Sequence, residues 1–477
     1  MPLKVAVNKA KIIATYGPAI ETKDKLIEII QAGVDVIRFN FSHGDYAFHQ
    51  NGFNLVKEIN KEHKLNIAIL SDLQGPKIRI GKVDGELVLK KKELVEITDK
   101  ECVSTKDTLF VSYEKLYKDV TIGERILIND GNIELKVVSV NDKKIQAEVI
   151  YGGILTSNKG VNLPETSLSA PSLTPKDLKD LDFALKEGTN WVALSFVRKA
   201  SDIKKVISII GEERHSYTKV ISKIEKPEAI ENIDSIIAAT DAIMIARGDL
   251  GVEVPPEKVP LLQKDIIDKC IINAKPVIVA TQMMESMIKN PVATRAEIND
   301  VANAVLDGTD AVMLSGETSV GKYPVRVVQT MQQILSNIED AELIYNKQLV
   351  ANPESETFLS DAICYNACKI AKEISAKAII GMTMSGYTAF KISSYRPKAK
   401  IFIFTENKKL LPTLNLFWGI RAFYYNSEVG TNETIDDVIQ LLKTNKLVKR
   451  TDLIVNTAAM PLKSKGKTNA LKVSLVE

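Results

Sequence analysis

Apolar positions along this chain follow two rhythms. From Lys11 onward, short runs rich in β-branched residues alternate with longer amphipathic stretches: KIIAT, KDKLIEIIQAG, DVIRFNFS, a helical stretch to Lys61, then NIAILSD. This alternation predicts parallel strands joined by crossover helices. After Gly75 it stops. Short segments with turn punctuation, KVDGEL, INDGNIEL and VNDKKI, predict a small antiparallel β domain inserted in a loop over residues 75–158. The first rhythm resumes at PSLTPKDLKDLDFALKEG, where Thr174 is placed to cap a helix that begins with Pro175.

Five further strand candidates follow: WVALSF, KVISKIE, AIMIA, PVIVAT and AVMLS. With three before the insertion they make eight βα units, the count and size of an α/β TIM (β/α)8 barrel. The competing arrangement, an open doubly wound sheet, lacks the Gly-x-Gly-x-x-Gly turn expected after its first strand. From about residue 341 a third region alternates again, through AKAIIGM and KIFIF, as a separate small α/β domain. The expected division is barrel over 1–74 and 159–340, inserted lid over 75–158, and C-terminal domain over 341–477.

Composition narrows the function classes. On 477 residues, 63 Lys and Arg against 60 Asp and Glu leave a net charge of only +3, so no nucleic-acid partner is expected. No apolar run approaches the roughly 18 residues a membrane helix needs, and the first residues hold no signal-like apolar core. The four cysteines form neither a metal-binding pair nor a disulfide framework. A cytoplasmic protein without a membrane partner is the expectation. That location argues against Arg247-Gly248-Asp249 as an adhesion signal.

A barrel of this kind does its chemistry at the C-terminal ends of its strands. In IRFNFS, Arg38, Asn40 and Ser42 alternate with Phe39 and Phe41, so period two puts the polar groups on one face. In ISKIEKP, Lys223 and Glu225 share a face, either as a structural ion pair or around a charged ligand. Asp249 follows the next strand between Gly248 and Gly251. Two carboxylates at neighbouring strand ends, with no His or Cys beside them, suit a hard cation such as Mg²⁺. Thr281, Ser315, Glu317 and Asp72 end other strands. Cations, a candidate metal cage and hydroxyls together make an inventory for phosphoryl transfer.

These segments resemble the pyruvate kinase family over nearly the whole chain: KIIATYGPA, IRFNFSHG, SDLQGPKIR, KGVNLP, SKIEKPEAI, IARGDLGVE, ATQMMESM and MLSGETSVGKYP. The resemblance implies a barrel with a mobile β lid inserted after its third strand and a C-terminal effector and assembly domain. It also implies transfer of a phosphoryl group from phosphoenolpyruvate to ADP, giving pyruvate and ATP as the final step of glycolysis, in a homotetramer. Glu225 and Asp249 would hold Mg²⁺ or Mn²⁺, and Gly248, Asp249 and Thr281 would meet the substrate carboxylate. Lys223 and Arg38 would neutralise the moving phosphoryl group, with Thr281 and Ser315 near the site where the enolate is protonated. Asn40, His43, Arg79 and Lys159 would contact the nucleotide.

One departure changes the chemistry. Where many members carry DTKGPEIR and need K⁺, this chain has DLQGPKIR, so Lys77 stands where they have Glu. A fixed ammonium can supply a monovalent charge. The resemblance therefore points to the branch that does not require K⁺, leaving Asn40, Ser42 and Asp72 as an altered pocket. Tyr16 and Ile20 depart from the smaller residues usual at the first βα turn. In the third domain, Ser385, Gly386 and Thr388 at a strand-to-helix turn, with Lys463, Lys465 and Lys467, form a candidate site for a phosphorylated effector. Two other classes compete: a Mg²⁺-dependent enolate lyase or aldolase on the same barrel, which needs no lid, and a noncatalytic sensor, which should have lost Lys223 or a carboxylate.

Overall fold

The computed structural model describes residues 3, 5–141, 144–346, 351–426, 430–460 and 467–477. Eight strands close a parallel barrel in chain order: Lys11–Thr15, Val36–Asn40, Ala68–Asp72, Trp191–Leu194, Lys219–Ile224, Ala242–Ala246, Val277–Ala280 and Ala311–Leu314, with the first pairing the last. Every one of the predicted apolar runs is among them. Most of these residues are buried on both faces, between barrel lumen and helices, which is why they read as near-continuous apolar runs.

Thr174 caps the helix Pro175–Lys186 in a reciprocal box, accepting from Asp177 N at 3.1 Å while Asp177 Oδ2 accepts from Thr174 N at 2.8 Å. The other oxygen of Asp177 accepts from Gly75 N at 3.0 Å, which anchors the chain where it leaves the barrel. Gly75 sits at φ +70, and a Cβ there would lie 2.7 Å from Phe196, so this exit requires glycine.

The inserted strands form a six-stranded sheet, from Val161–Asn162 through Arg125–Ile128 to Thr108–Phe110, and a two-stranded ladder of Leu87–Leu89 with Gly153–Leu155. Ladders are antiparallel except Leu94–Thr98 with Thr108–Phe110, which runs parallel. The sheet buries its own core around Val95, Ile126, Leu135 and Val149. Its last strand, Val161–Asn162, lies beyond the expected boundary at 158.

The C-terminal sheet has five strands, in the order Ile420–Tyr424, Lys400–Thr405, Ala378–Met382, Leu453–Ala458, Ala470–Leu475, all parallel except the last. One face of it shares an apolar core with the barrel, while Ala378, Ile380, Phe402, Phe404 and Ile454 pack in a separate core on the other. At the joint Arg396 forks onto Asp310, and Lys9 Nζ donates to the carbonyls of Pro397, Lys398 and Ala399. Cys364 and Cys368 are buried packing residues, and no described helix is long and apolar enough to cross a membrane.

Candidate active site

The polar strand ends converge at one mouth of the barrel. Lys223 lies at its centre. Its Nζ is 2.8 Å from Glu225 Oε1, 3.3 Å from Asp72 Oδ1, and donates to Ser195 Oγ at 2.7 Å. Arg38 approaches Asp72 from the other side, with Nε at 2.8 Å and Nη2 at 2.6 Å, and its Nη1 donates to Thr15 Oγ1 at 2.9 Å. Thr15, Asp72 and Lys223 come from the first, third and fifth strands. In an eight-stranded barrel, alternate strands contribute one layer of inward side chains, so these groups meet across the lumen although their strands are not neighbours.

Charge is nearly balanced in this cluster, with little solvent to screen it. Burial disfavours the Lys223 ammonium, but Asp72, Glu225 and Asp249 together outweigh burial and hold its pKa above the ordinary lysine value. Asp72 behaves in the opposite sense: burial raises its carboxyl, and Lys223 and Arg38 more than cancel that rise. Glu225 is different. Burial, reinforced by the charge of Asp249, lifts its carboxyl above the usual range despite Lys223. Its Oε2 accepts from Phe196 N at 2.7 Å.

A buried acid held up by a second acid is a place where a divalent cation would relieve repulsion. No cluster of three or more His, Cys, Asp or Glu side chains that could hold a metal occurs among the described residues. Glu225 and Asp249 would offer such a cation two carboxylates, and ligand oxygens would have to complete the shell. This donor set fits Mg²⁺ or Mn²⁺.

Thr281 ends the seventh strand at φ +67, and Gln282 follows at φ +55. A β-branched residue in that region is strained. The surroundings hold it there: Thr281 Oγ1 accepts from Gly248 N at 2.8 Å and donates to Ala280 O at 2.6 Å. Arg247 clamps the same turn, donating to Thr281 O at 2.9 Å and pairing with Asp300 at 2.6 Å. The arginine of the Arg-Gly-Asp tripeptide is therefore a brace. A Cβ on Gly248 would come 3.3 Å from Thr281 Oγ1, so glycine allows the close approach. Ser315 N donates to the buried Glu317 at 2.7 Å, which fixes the turn after the eighth strand.

Between barrel and inserted sheet lies a cavity of about 400 Å³ lined by Lys77, Arg79, Lys159 and Asp249 among others. Arg79 Nη1 donates to Asn158 O at 2.9 Å. His43 lies at the barrel rim with its side chain open to solvent on one side, and partial desolvation, followed by the charges of Arg79, Lys77 and Arg38, lowers its pKa. Asn40, whose Oδ1 accepts from Ser42 N at 3.0 Å, closes a local turn, so the strand ends at Asn40 and Ser42 lies in that turn. Lys77 is exposed and makes no ion pair among the described residues; its Cε faces Gly160 of the insert.

Strand periodicity overlooked Thr15 and Ser195, although both stand at strand ends by the rule that found Thr281. In the C-terminal domain, Gly386 N donates to Thr383 Oγ1 at 2.9 Å, and Thr388 Oγ1 is buried against Thr468 Oγ1 at 2.5 Å. Of Ser385, Gly386 and Thr388, only Ser385 is exposed. Lys467 donates to Glu356 O at 2.8 Å, while Lys463 and Lys465 lie outside the described residues.

Comparisons with known proteins identify the family and the fold. The family description "Pyruvate kinase, barrel domain" matches residues 7–328, and "Pyruvate kinase, alpha/beta domain" matches residues 361–474. The chain is 41% identical over 474 residues to a pyruvate kinase of Geobacillus stearothermophilus, covering 98% of this chain and 80% of that one. With a pyruvate kinase of Corynebacterium efficiens it shares 43% identity over 470 residues, 98% of each. The crystal structure of a pyruvate kinase from Cryptosporidium parvum superimposes with a TM-score of 0.90 at 35% identity, covering 98% of this chain and 96% of that chain.

Proposed function

The chain belongs to the pyruvate kinase family, and from that premise we propose how its own residues carry out the reaction and regulate it. The enzyme is a phosphotransferase that converts phosphoenolpyruvate and ADP to pyruvate and ATP. The lyase and sensor readings lose their ground, because the chain keeps Lys223, both carboxylates and a folded insert. The observation that carries the residue assignment is the buried Lys223, within 2.8 Å of Glu225 and 3.3 Å of Asp72, beside the acid pair Glu225 and Asp249.

Glu225 and Asp249 would hold the divalent cation, Mg²⁺ or Mn²⁺, which would supply positive charge against the negative charge of the substrates. Lys223 gives up its contact with Glu225 to meet the phosphoryl group, and Arg38, kept straight by Asp72 and Thr15, meets it from the opposite wall. Backbone around Gly248 and Asp249, with Thr281, positions the substrate carboxylate. Thr281 and Ser315 border the face on which the enolate is protonated. Asn40, His43, Arg79 and Lys159 take the nucleotide between barrel and insert.

Mn²⁺ binding, followed by electron paramagnetic resonance, tests the assignment. Glu225→Gln is expected to weaken it at least about tenfold, because a charged ligand becomes neutral. Binding equal to that of the wild type would refute the metal assignment.

Lys77 takes over the role of a monovalent cation in this reading. Three contacts bear on it: Arg38 donates to Asp72 Oδ2, Lys223 lies 3.3 Å from Asp72 Oδ1, which has no hydrogen-bond donor among the described residues, and the Asn40 amide oxygen accepts from Ser42 N, so fixed side-chain cations already supply positive charge beside the pocket. Initial rates with Mg²⁺ in K⁺-free buffer are expected to change less than about twofold when K⁺ is added, and Lys77→Glu to create a K⁺ requirement. Large activation of the unmodified enzyme by K⁺ would contradict this. We further infer a cytoplasmic homotetramer whose Ser385, Gly386 and Thr388 turn receives a phosphorylated effector, with Thr388 released from Thr468.

A further inference from the structure

Behind the two acid groups is a second charged set. Lys226 Nζ is 2.7 Å from Glu253 Oε1, and both side chains are almost fully buried. The same oxygen accepts from Asn162 Nδ2 at 2.8 Å. Glu253 Oε2 is buried without a hydrogen-bond donor among the described residues. All three residues line the cavity between barrel and insert.

Their positions in the chain give the set its meaning. Lys226 directly follows Glu225. Glu253 lies one turn beyond Asp249 on the helix Arg247–Glu253. Asn162 belongs to the inserted sheet, where Val161–Asn162 pairs with Leu127 and Ile128. One carboxylate oxygen therefore joins the backbone beside the first acid, the helix carrying the second, and the edge of the lid. A buried ion pair by itself is weak evidence of anything beyond packing. What distinguishes this one is a second donor on the same oxygen, supplied by the inserted sheet, and the spare acceptor Oε2, onto which the amide or ammonium could move if the insert shifted. An element with two arrangements, biased from both ends, is what coupling requires.

We propose that Asn162, Glu253 and Lys226 form a latch that links the position of the lid to the placement of Glu225 and Asp249. These are positioning residues, and the inference rests on the reading that Glu225 and Asp249 hold the divalent cation. Linkage makes the effect reciprocal: a cation that favours one arrangement of the acids favours one arrangement of the lid.

Hydrogen exchange on the full-length enzyme, with and without Mn²⁺ alone, tests the latch. In the wild type, saturating Mn²⁺ is expected to change exchange in residues 125–130 and 159–163 by at least about fivefold. In Asn162→Ala that change should fall below about twofold while Mn²⁺ still binds by electron paramagnetic resonance. Lys226→Met should behave alike; if loss of its charge prevents folding, the part-buried Asn162→Ala variant decides. An undiminished exchange response in Asn162→Ala, or none in the wild type, overturns the latch. Unaltered Mn²⁺ binding by Glu225→Gln would instead remove the metal reading beneath it, so the two failures are told apart.

Discussion

Lys223→Met is expected to lower kcat by about three to four orders of magnitude, because the residue supplies charge where charge develops in a dry site. Among the described residues only Arg38 is a second fixed cation in direct contact with this cluster, and Arg38 is committed to Asp72 by two donors. Methionine fills similar space, so the loss reflects charge rather than a cavity. Stability should fall by about 1–3 kcal/mol, since Glu225 and one oxygen of Asp72 lose their ammonium while Asp72 keeps Arg38. Mn²⁺ should bind at least as tightly as in the wild type, because a competing positive charge beside the acids is gone. That separates loss of chemistry from loss of metal. Lys223→Arg should rescue little, since a planar fork does not place its charge where an ammonium does. A fall in kcat of less than about tenfold in Lys223→Met would mean that the phosphoryl group is neutralised elsewhere.

Arg396→Met carries the largest expected effect on stability, about 3–5 kcal/mol. The guanidinium is 2% exposed, donates to both oxygens of Asp310 at 3.1 and 2.8 Å and to Gly308 O at 2.7 Å, and lies 5.0 Å from the Trp418 ring centre. Without it, Asp310 keeps two backbone donors, Val277 N and Trp418 N, but has no countercharge. Denaturant unfolding should show the loss in the transition that separates the C-terminal domain from the barrel. Adding Asp310→Asn to Arg396→Met should recover part of it, because the remaining buried group is then neutral and still accepts a hydrogen bond. Arg396→Lys tests the same contact if the methionine variant does not accumulate; it should fall between, with charge kept and the fork lost. Equal stability of Arg396→Met and the unmodified enzyme would show that shared apolar packing alone holds the joint.

Much of the architecture was legible in the chain. Each barrel strand announces itself by an apolar run buried on both faces, and Thr174 with Pro175 marks its helix start by local hydrogen bonding alone. Strand-end position also picked out Arg38, Asp72, Lys223, Glu225, Asp249, Thr281 and Ser315. The same rule missed Thr15 and Ser195, because a lone hydroxyl at a strand end looks like any cap. The strand itself stops at Asn40, where the Asn40 side chain closes a turn over Ser42.

Local sequence determined which residues form strands, which helices, and which side chains leave at the strand ends, since those depend on neighbours a few positions away. Tertiary structure decided who meets whom. Lys223 reaches Asp72 only because a closed barrel brings alternate strands into one layer. Thr281 keeps a strained backbone only because Arg247 and Gly248 hold its turn. Arg396 finds Asp310, and Asn162 finds Glu253, across domain boundaries that no periodicity records, because the energy of a buried charge depends on the partner that folding places beside it.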